Sequence, residues 1–279
     1  MAKNIRKNKS KKSGNGKQSM AELADKYFLY EQAVQCVESE IDFVDETFQK
    51  LRNRNAQTLR EDFCGTINTS CEWIKRRDTN IAYSVDIDAE VLAWGKQHHI
   101  AKLTTDQAQR INVLNSDVLN VDIEPVDTVL AMNFSYWLLK GRAIMKNYFR
   151  RVYHGLKKDG IFFLDAYGGY ESFQEMEETT KCDGFTYIWD QSHYNPITGE
   201  ATLYIHFKFK DGSRMQNAFS YHWRLWTLPE ICELLGEAGF KPTVYWEGTD
   251  EDGEGDGIYS PTTEGEADAG WIAYIVAEK

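Results

Sequence analysis

The residues with the clearest chemical potential in this sequence are acids that close two successive strand-like runs. Leu59-Arg60-Glu61-Asp62-Phe63-Cys64-Gly65-Thr66 places Glu61, Asp62 and Gly65 at the end of one run, and Ala82-Tyr83-Ser84-Val85-Asp86-Ile87-Asp88 places Asp86 at the end of the next. In an open α/β sheet, an acid and a glycine after one strand and an acid after the following strand hold the ribose of a nucleotide-like cofactor. Metal chemistry has little support. Cys64 and Cys71 have no CxxC partner pair, and the tandem His98-His99 reads as helix surface, so no metal is expected.

Positioning these acids requires strands that alternate with helices. Residues 20–54 carry Leu23, Tyr27, Tyr30, Val34, Val37, Ile41, Val44 and Phe48 at steps of three and four, which predicts helix with one break near Ser39. Strands are then expected at 58–62, 81–86, 111–115, 127–133 and 161–165, with helices at 69–77, 89–103 and 141–156 between them. The last of these helices runs into Lys157-Lys158-Asp159-Gly160, read as a basic end with a left-handed glycine cap. Strict alternation predicts a parallel sheet with helices on both faces. Beyond Gly169 the pattern changes to antiparallel strands at 185–190, 201–210 and 215–225. Thr227-Leu228-Pro229-Glu230 then opens a capped helix that stops at Gly239, followed by closing strands at 244–247 and 271–277.

The 279 residues fit one domain over 20–279. Within it, 20–57 reads as a helical extension, 58–169 as the cofactor core, 170–226 as an antiparallel insertion and 227–279 as the closing elements. No apolar run is long enough to span a membrane, and an odd set of five cysteines suggests a reducing, cytoplasmic setting. The net charge of −11 is uneven. Residues 1–19 carry Lys3, Arg6, Lys7, Lys9, Lys11, Lys12 and Lys17 with no acid, which predicts a disordered, solubilising arm. The acid-rich stretch from Glu247 to Asp268 reads as a solvated hairpin loop rather than a calcium loop.

In order and spacing, these segments resemble the class I S-adenosylmethionine-dependent methyltransferases, from about Leu59 to the C-terminus. Glu61 to Thr66 sits where that family has its acid-and-glycine motif. Val85-Asp86-Ile87 matches the second motif, Ser116-Asp117-Val118 the third and Asp127 to Asn133 the fourth. The resemblance implies a Rossmann-like α/β fold with a mostly parallel seven-stranded sheet, an N-terminal helical extension and a β insertion after the fifth strand. It implies S-adenosyl-L-methionine as cofactor. Glu61 or Asp62 would face the methionine ammonium, and Gly65 would let the backbone pass close. Asp86 would accept the ribose hydroxyls, Ile87 would cover the adenine, Asp117 and the Val118 amide would read its edge, and Asn133 would lie near the transferable methyl. Phe63 and Ile67 stand where the family usually has glycines; the contact at Phe63 is the departure. A pyrophosphate-bearing cofactor would be obstructed there more than one without phosphate.

The acceptor side is less specified. Candidates to touch an acceptor are Tyr30, Tyr167, Tyr221 and Arg224, with Arg224 suited to an anionic group and His222 to a general base. Alternation along Phe219-Ser220-Tyr221-His222-Trp223-Arg224 puts Tyr221 and Trp223 on one face and His222 and Arg224 on the other, so only one pair can line a pocket. The fourth strand ends in Asn133-Phe134-Ser135-Tyr136, without the double-proline motif of base or glutamine methylation. The acidic body disfavours nucleic acid. The first expectation is methyl transfer to N or O of a small-molecule acceptor. The alternatives are an RNA or protein methyltransferase tethered by the basic arm, and a non-catalytic cofactor-binding module.

Overall fold

The computed structural model describes residues 18–250 and 255–279. Most of the basic arm (1–17) and the tip of the acidic loop (251–254) lie outside the described residues. Five parallel strands form the centre: β1 (Thr58–Asp62), β2 (Ile81–Asp86), β3 (Ile111–Asn115), β4 (Val126–Ala131) and β5 (Leu156–Gly168). A separate antiparallel sheet follows, with β6 (Met176–Lys181), β7 (Phe185–Asn195), β8 (Glu200–Phe209) and β9 (Arg214–Arg224). The chain closes with β10 (Lys241–Thr249), β11 (Gly255–Thr262) and β12 (Trp271–Glu278), giving an eight-stranded order β11-β10-β12-β5-β4-β1-β2-β3. The order reverses between β1 and β4, so a crevice opens at the carboxyl ends of these strands, where open α/β sheets bind ligands.

Helices are α1 (Met20–Leu23), α2 (Lys26–Val34), α3 (Val37–Arg52), α4 (Asn68–Arg76), α5 (Ala89–His98), α6 (Thr105–Gln109), α7 (Arg142–Gly155) and α8 (Leu228–Ala238). On one face of the main sheet, Ile41, Val44 and Phe48 of α3 join Trp73 and Ile74 of α4. On the other, Met145, Tyr148 and Phe149 of α7 pack with Leu234 and Leu235 of α8. Trp73, Tyr148 and Phe149 are fully buried, each contributing roughly 1.5–3 kcal/mol by leaving water. Leu29 of α2 covers Phe185 and Phe207, tying the antiparallel sheet to the N-terminal helices.

Four expectations differ from the structure. The N-terminal helical run breaks at residues 24–25 and 35–36 rather than near Ser39. Asp25 caps α2 by accepting from the Tyr27 and Phe28 amides, so a polar residue inside an apolar period starts a new helix. The helix at 141–156 ends at Gly155, and Lys157 to Gly160 already belong to β5; Gly160 is not left-handed, and the pairing of Leu156 with Val126 starts the strand early. The sheet gains an eighth strand, β11, from the acidic stretch expected to be loop, where Tyr259 pairs with Glu247 and packs among Phe43 and Tyr274. Finally, β6 is a charged edge strand whose mostly exposed residues give no apolar alternation to read.

Candidate functional site

Alternation along β1 sends its two terminal acids to opposite faces. Asp62, 1% exposed, accepts from Arg60 Nη2 at 2.7 Å and from the Tyr148 hydroxyl at 2.8 Å. It is committed to joining β1 to α7, so it does not share the position of Glu61. Glu61 instead accepts from the Ser70 amide at 3.0 Å and from the Ser70 hydroxyl, at the first turn of α4. Burial pushes its carboxyl up to about 7, against the pull of these hydrogen bonds.

The turn between β1 and α4 shows how the chain manages without two glycines. Phe63, Gly65 and Ile67 have φ of 59°, 50° and 66°, so every second residue is left-handed. Phenylalanine and isoleucine each hold that conformation at a cost of order 1–3 kcal/mol. Packing keeps them there: Ile67 is fully buried, and the Phe63 ring meets Tyr148 edge-on at 5.9 Å. A Cβ on Gly65 would meet nothing within 4 Å, so the turn leaves open space at its apex.

Asp86 stands across from that apex. Its Oδ2 accepts from the Gly65 amide at 2.9 Å and its Oδ1 from the Asp88 amide at 2.9 Å, so each oxygen keeps lone-pair capacity for a further donor. Burial raises its pKa from the ordinary carboxylate value. Next to it Ile87 is 72% exposed, an apolar side chain left uncovered at a strand end. Asp117 caps the turn at Val118–Asn120 through the Leu119 amide at 2.9 Å, with the Val118 side chain in the core. A buried carboxyl without a cationic partner (Glu61), a carboxylate with free lone pairs (Asp86), an open glycine turn and an uncovered isoleucine fit the ammonium, ribose and adenine of an S-adenosyl group.

At the end of β4, Asn133 and Phe134 are left-handed, and their amides donate to the Asp165 carboxylate at 2.7 and 2.9 Å. Asp165 is not among the residues the sequence singles out, yet it fixes this turn from β5. Burial pushes it up to about 7, opposed by those two amides. Glu40 of α3 is likewise missed by sequence reasoning. It is 7% exposed, one of its carboxyl oxygens has no partner, and burial pushes it up to about 8, with added repulsion from Asp165 and Glu61. Three acids therefore share one buried region beneath the β1 and β4 ends, where a bound cation would offset the cost of charging them.

Asn133 and Phe134 open onto a cavity of about 510 Å3 roofed by α2 and the antiparallel sheet. Tyr30, Tyr167 and Tyr221 all line it, together with Trp189 and Trp223. The Tyr221 and Trp223 rings lie 4.5 Å apart. Glu178 and Glu247 are the carboxylates of its wall, a pair that sequence reasoning missed because both sit in runs of acids. Gly168 is required here: a Cβ would lie 2.2 Å from the Trp271 ring.

His222 and Arg224 occupy the opposite face of β9 from Tyr221 and Trp223, as pleating requires, and neither lines this cavity. His222 lies 3.4 Å from Thr202 Oγ1 at the exposed surface. Arg224 donates to Glu230 at 2.8 Å and stacks over Trp226, so its charge is already paired. The base and anion-binding assignments therefore have no support from position.

No family model and no curated protein sequence matches this chain. Many solved structures do. An S-adenosylmethionine-dependent methyltransferase from Clostridium acetobutylicum is 17% identical with a TM-score of 0.69, covering 90% of this chain and 96% of that one. CalS10, an amino pentose methyltransferase from Micromonospora echinaspora, is 14% identical with a TM-score of 0.64, covering 90% and 95%. The sugar N-methyltransferase KedS8 from a Streptoalloteichus species is 15% identical with a TM-score of 0.61, covering 99% of each chain. At such identities what is shared is the fold: a Rossmann-like methyltransferase sheet with helices on both faces.

Proposed function

We propose that this chain is an S-adenosylmethionine-dependent methyltransferase whose acceptor is an amine nitrogen of a small molecule. The observation that carries the reading is a juxtaposition: Asn133 and Phe134 form the wall of an aromatic cavity at the end of β4, while Glu61 and Asp86 close β1 and β2 in the same crevice. Similarity to an amino pentose methyltransferase and a sugar N-methyltransferase supports the choice of nitrogen. So does the presence of Glu178 and Glu247, rather than any basic residue, in the cavity wall.

When bound, the cofactor supplies an electrophilic methyl on sulfur. This chain's residues would bind and orient. Asp86 would accept from the ribose hydroxyls, Glu61 would face the ammonium, and Gly65 would admit the backbone approach. Ile87 would cover the adenine, with Asp117 and the Val118 amide at its edge, and Asn133 would lie beside the methyl. Tyr30, Tyr167, Tyr221 and Trp189 would exclude water and hold the acceptor ring in line, which is where a displacement on an activated methyl gains most. Their phenols stay protonated, since burial raises Tyr30, Tyr167 and Tyr221 above the ordinary phenol value. Glu178 and Glu247 would attract the amine, and a carboxylate can take its proton.

The test is release of S-adenosylhomocysteine on incubating the full chain with S-adenosylmethionine and a panel of alcohols and of primary and secondary amines, amino sugars included. At least one amine is expected to turn over, with Trp189→Ala losing most of the rate. Cofactor binding without turnover on any amine or alcohol would instead favour a non-catalytic binding module.

A further inference from the structure

A wider cavity of about 770 Å3 adjoins the acceptor cavity, and Tyr167, Gly168 and Trp271 form the partition between them. Its own walls are aromatic, with Phe173, Trp226 and Trp246 facing the loop that follows β11. Trp246 and Trp271 have ring centroids 5.1 Å apart. Gly265 brings the loop directly against the Trp246 ring, where a Cβ would come within 3.2 Å. Glu264, Glu266 and Asp268 form the rim, so the tail of the acidic stretch, read from sequence as solvated loop, borders a cavity. Among the described residues, neither cavity has a lysine or arginine in its wall. The start of α8 also reaches this cavity, where Pro229 has no amide hydrogen and a capping box takes up the Thr227 and Glu230 amides. Thr227 Oγ1 accepts from the Glu230 amide, and Glu230 returns its own carboxylate to the Thr227 amide at 3.0 Å.

We propose that this wider cavity is a second subsite that holds a cationic, ring-bearing portion of the acceptor, and that the acceptor is not a phosphorylated molecule. Aromatic faces attract a quaternary or protonated amine through the ring quadrupole, and the rim carboxylates add long-range attraction. A phosphate would meet carboxylates, and the guanidinium stacked on the Trp226 ring, Arg224, is already paired with Glu230. The inference rests on the methyl-transfer reading of the neighbouring cavity.

The test titrates the full chain with three probes that share a benzene ring: benzyltrimethylammonium, benzyl alcohol and phenyl phosphate, followed by tryptophan fluorescence. Benzyltrimethylammonium should bind roughly tenfold tighter than benzyl alcohol, and phenyl phosphate weakest. Trp246→Ala, at a residue that lines the wider cavity and not the acceptor cavity, should lower the cation's affinity about tenfold, a larger loss than Trp189→Ala causes from the acceptor cavity. Glu264→Gln with Glu266→Gln, both exposed, should lower it about two- to threefold at low salt and leave benzyl alcohol unaffected. Equal or tighter binding of phenyl phosphate, no binding of the cation, or dependence on Trp189 in place of Trp246 would overturn the proposal. S-adenosylhomocysteine binding is measured on each variant in parallel. It verifies folding, and its absence from the wild-type chain would remove the methyl-transfer reading separately from the cation result.

Discussion

Replacing Glu40 with glutamine should stabilise the cofactor-free protein in a pH-dependent way. Glu40 is 7% exposed and lacks a partner for one oxygen. Burial, with repulsion from Asp165 and Glu61, carries its pKa from the ordinary 4.5 to about 8 in the folded chain. For an acid raised on folding, the carboxyl is protonated in both states below pH 4.5 and imposes no pH-linked penalty. As pH rises from 4.5 to 8 the unfolded chain loses the proton first, so native stability falls, and the loss is complete above pH 8. Each unit within that window costs about 1.4 kcal/mol. Glutamine keeps the shape and one unpartnered polar atom but cannot titrate. The stability difference between Glu40→Gln and wild type should therefore grow by about 3 kcal/mol between about pH 5 and pH 7, an upper estimate because the three acids share their charge. Urea unfolding at a series of pH values reads this as a shift in midpoint at constant slope. A difference that stays flat across that range would refute the buried, charge-coupled placement of Glu40.

Arg60→Met removes the buried partner of Asp62, 2.7 Å away, and should destabilise the chain by about 3–5 kcal/mol in urea unfolding. Adding Asp62→Leu should recover most of that loss, because the uncompensated charge goes with it. Gly168→Ala places a methyl 2.2 Å from the Trp271 ring, so kcat/KM for an amine acceptor should fall about tenfold or more while S-adenosylhomocysteine affinity is unchanged.

The parallel core was legible because strand-like runs alternate with helical periods along the chain; 58–62, 81–86 and 111–115 fall where β1, β2 and β3 lie. The helix opened by Thr227 was legible for the same local reason, with a capping box at one end and left-handed Gly239 at the other. What the sequence hid depends on contacts between distant segments. That Asp62 is not free for a ligand follows from Arg60 and Tyr148 taking it into the core. The choice between the two faces of β9 turns on where α2 lies, so Tyr221 and Trp223 line the cavity and His222 does not. Glu40 and Asp165 belong to no motif in the sequence; only packing makes them buried neighbours. Left-handed Phe63 and Ile67 could not be read from residue type, because both residues disfavour that conformation and only the core around them holds it.

The claim that Asp86 and its neighbours hold the methyl donor is tested most directly by calorimetric titration of S-adenosylhomocysteine into the full chain and into Asp86→Ala. Saturable binding is expected for the full chain. The variant should bind about a hundredfold more weakly, since two charge-assisted hydrogen bonds to the ribose are lost. No binding to the full chain, or the same affinity in both, would contradict the account.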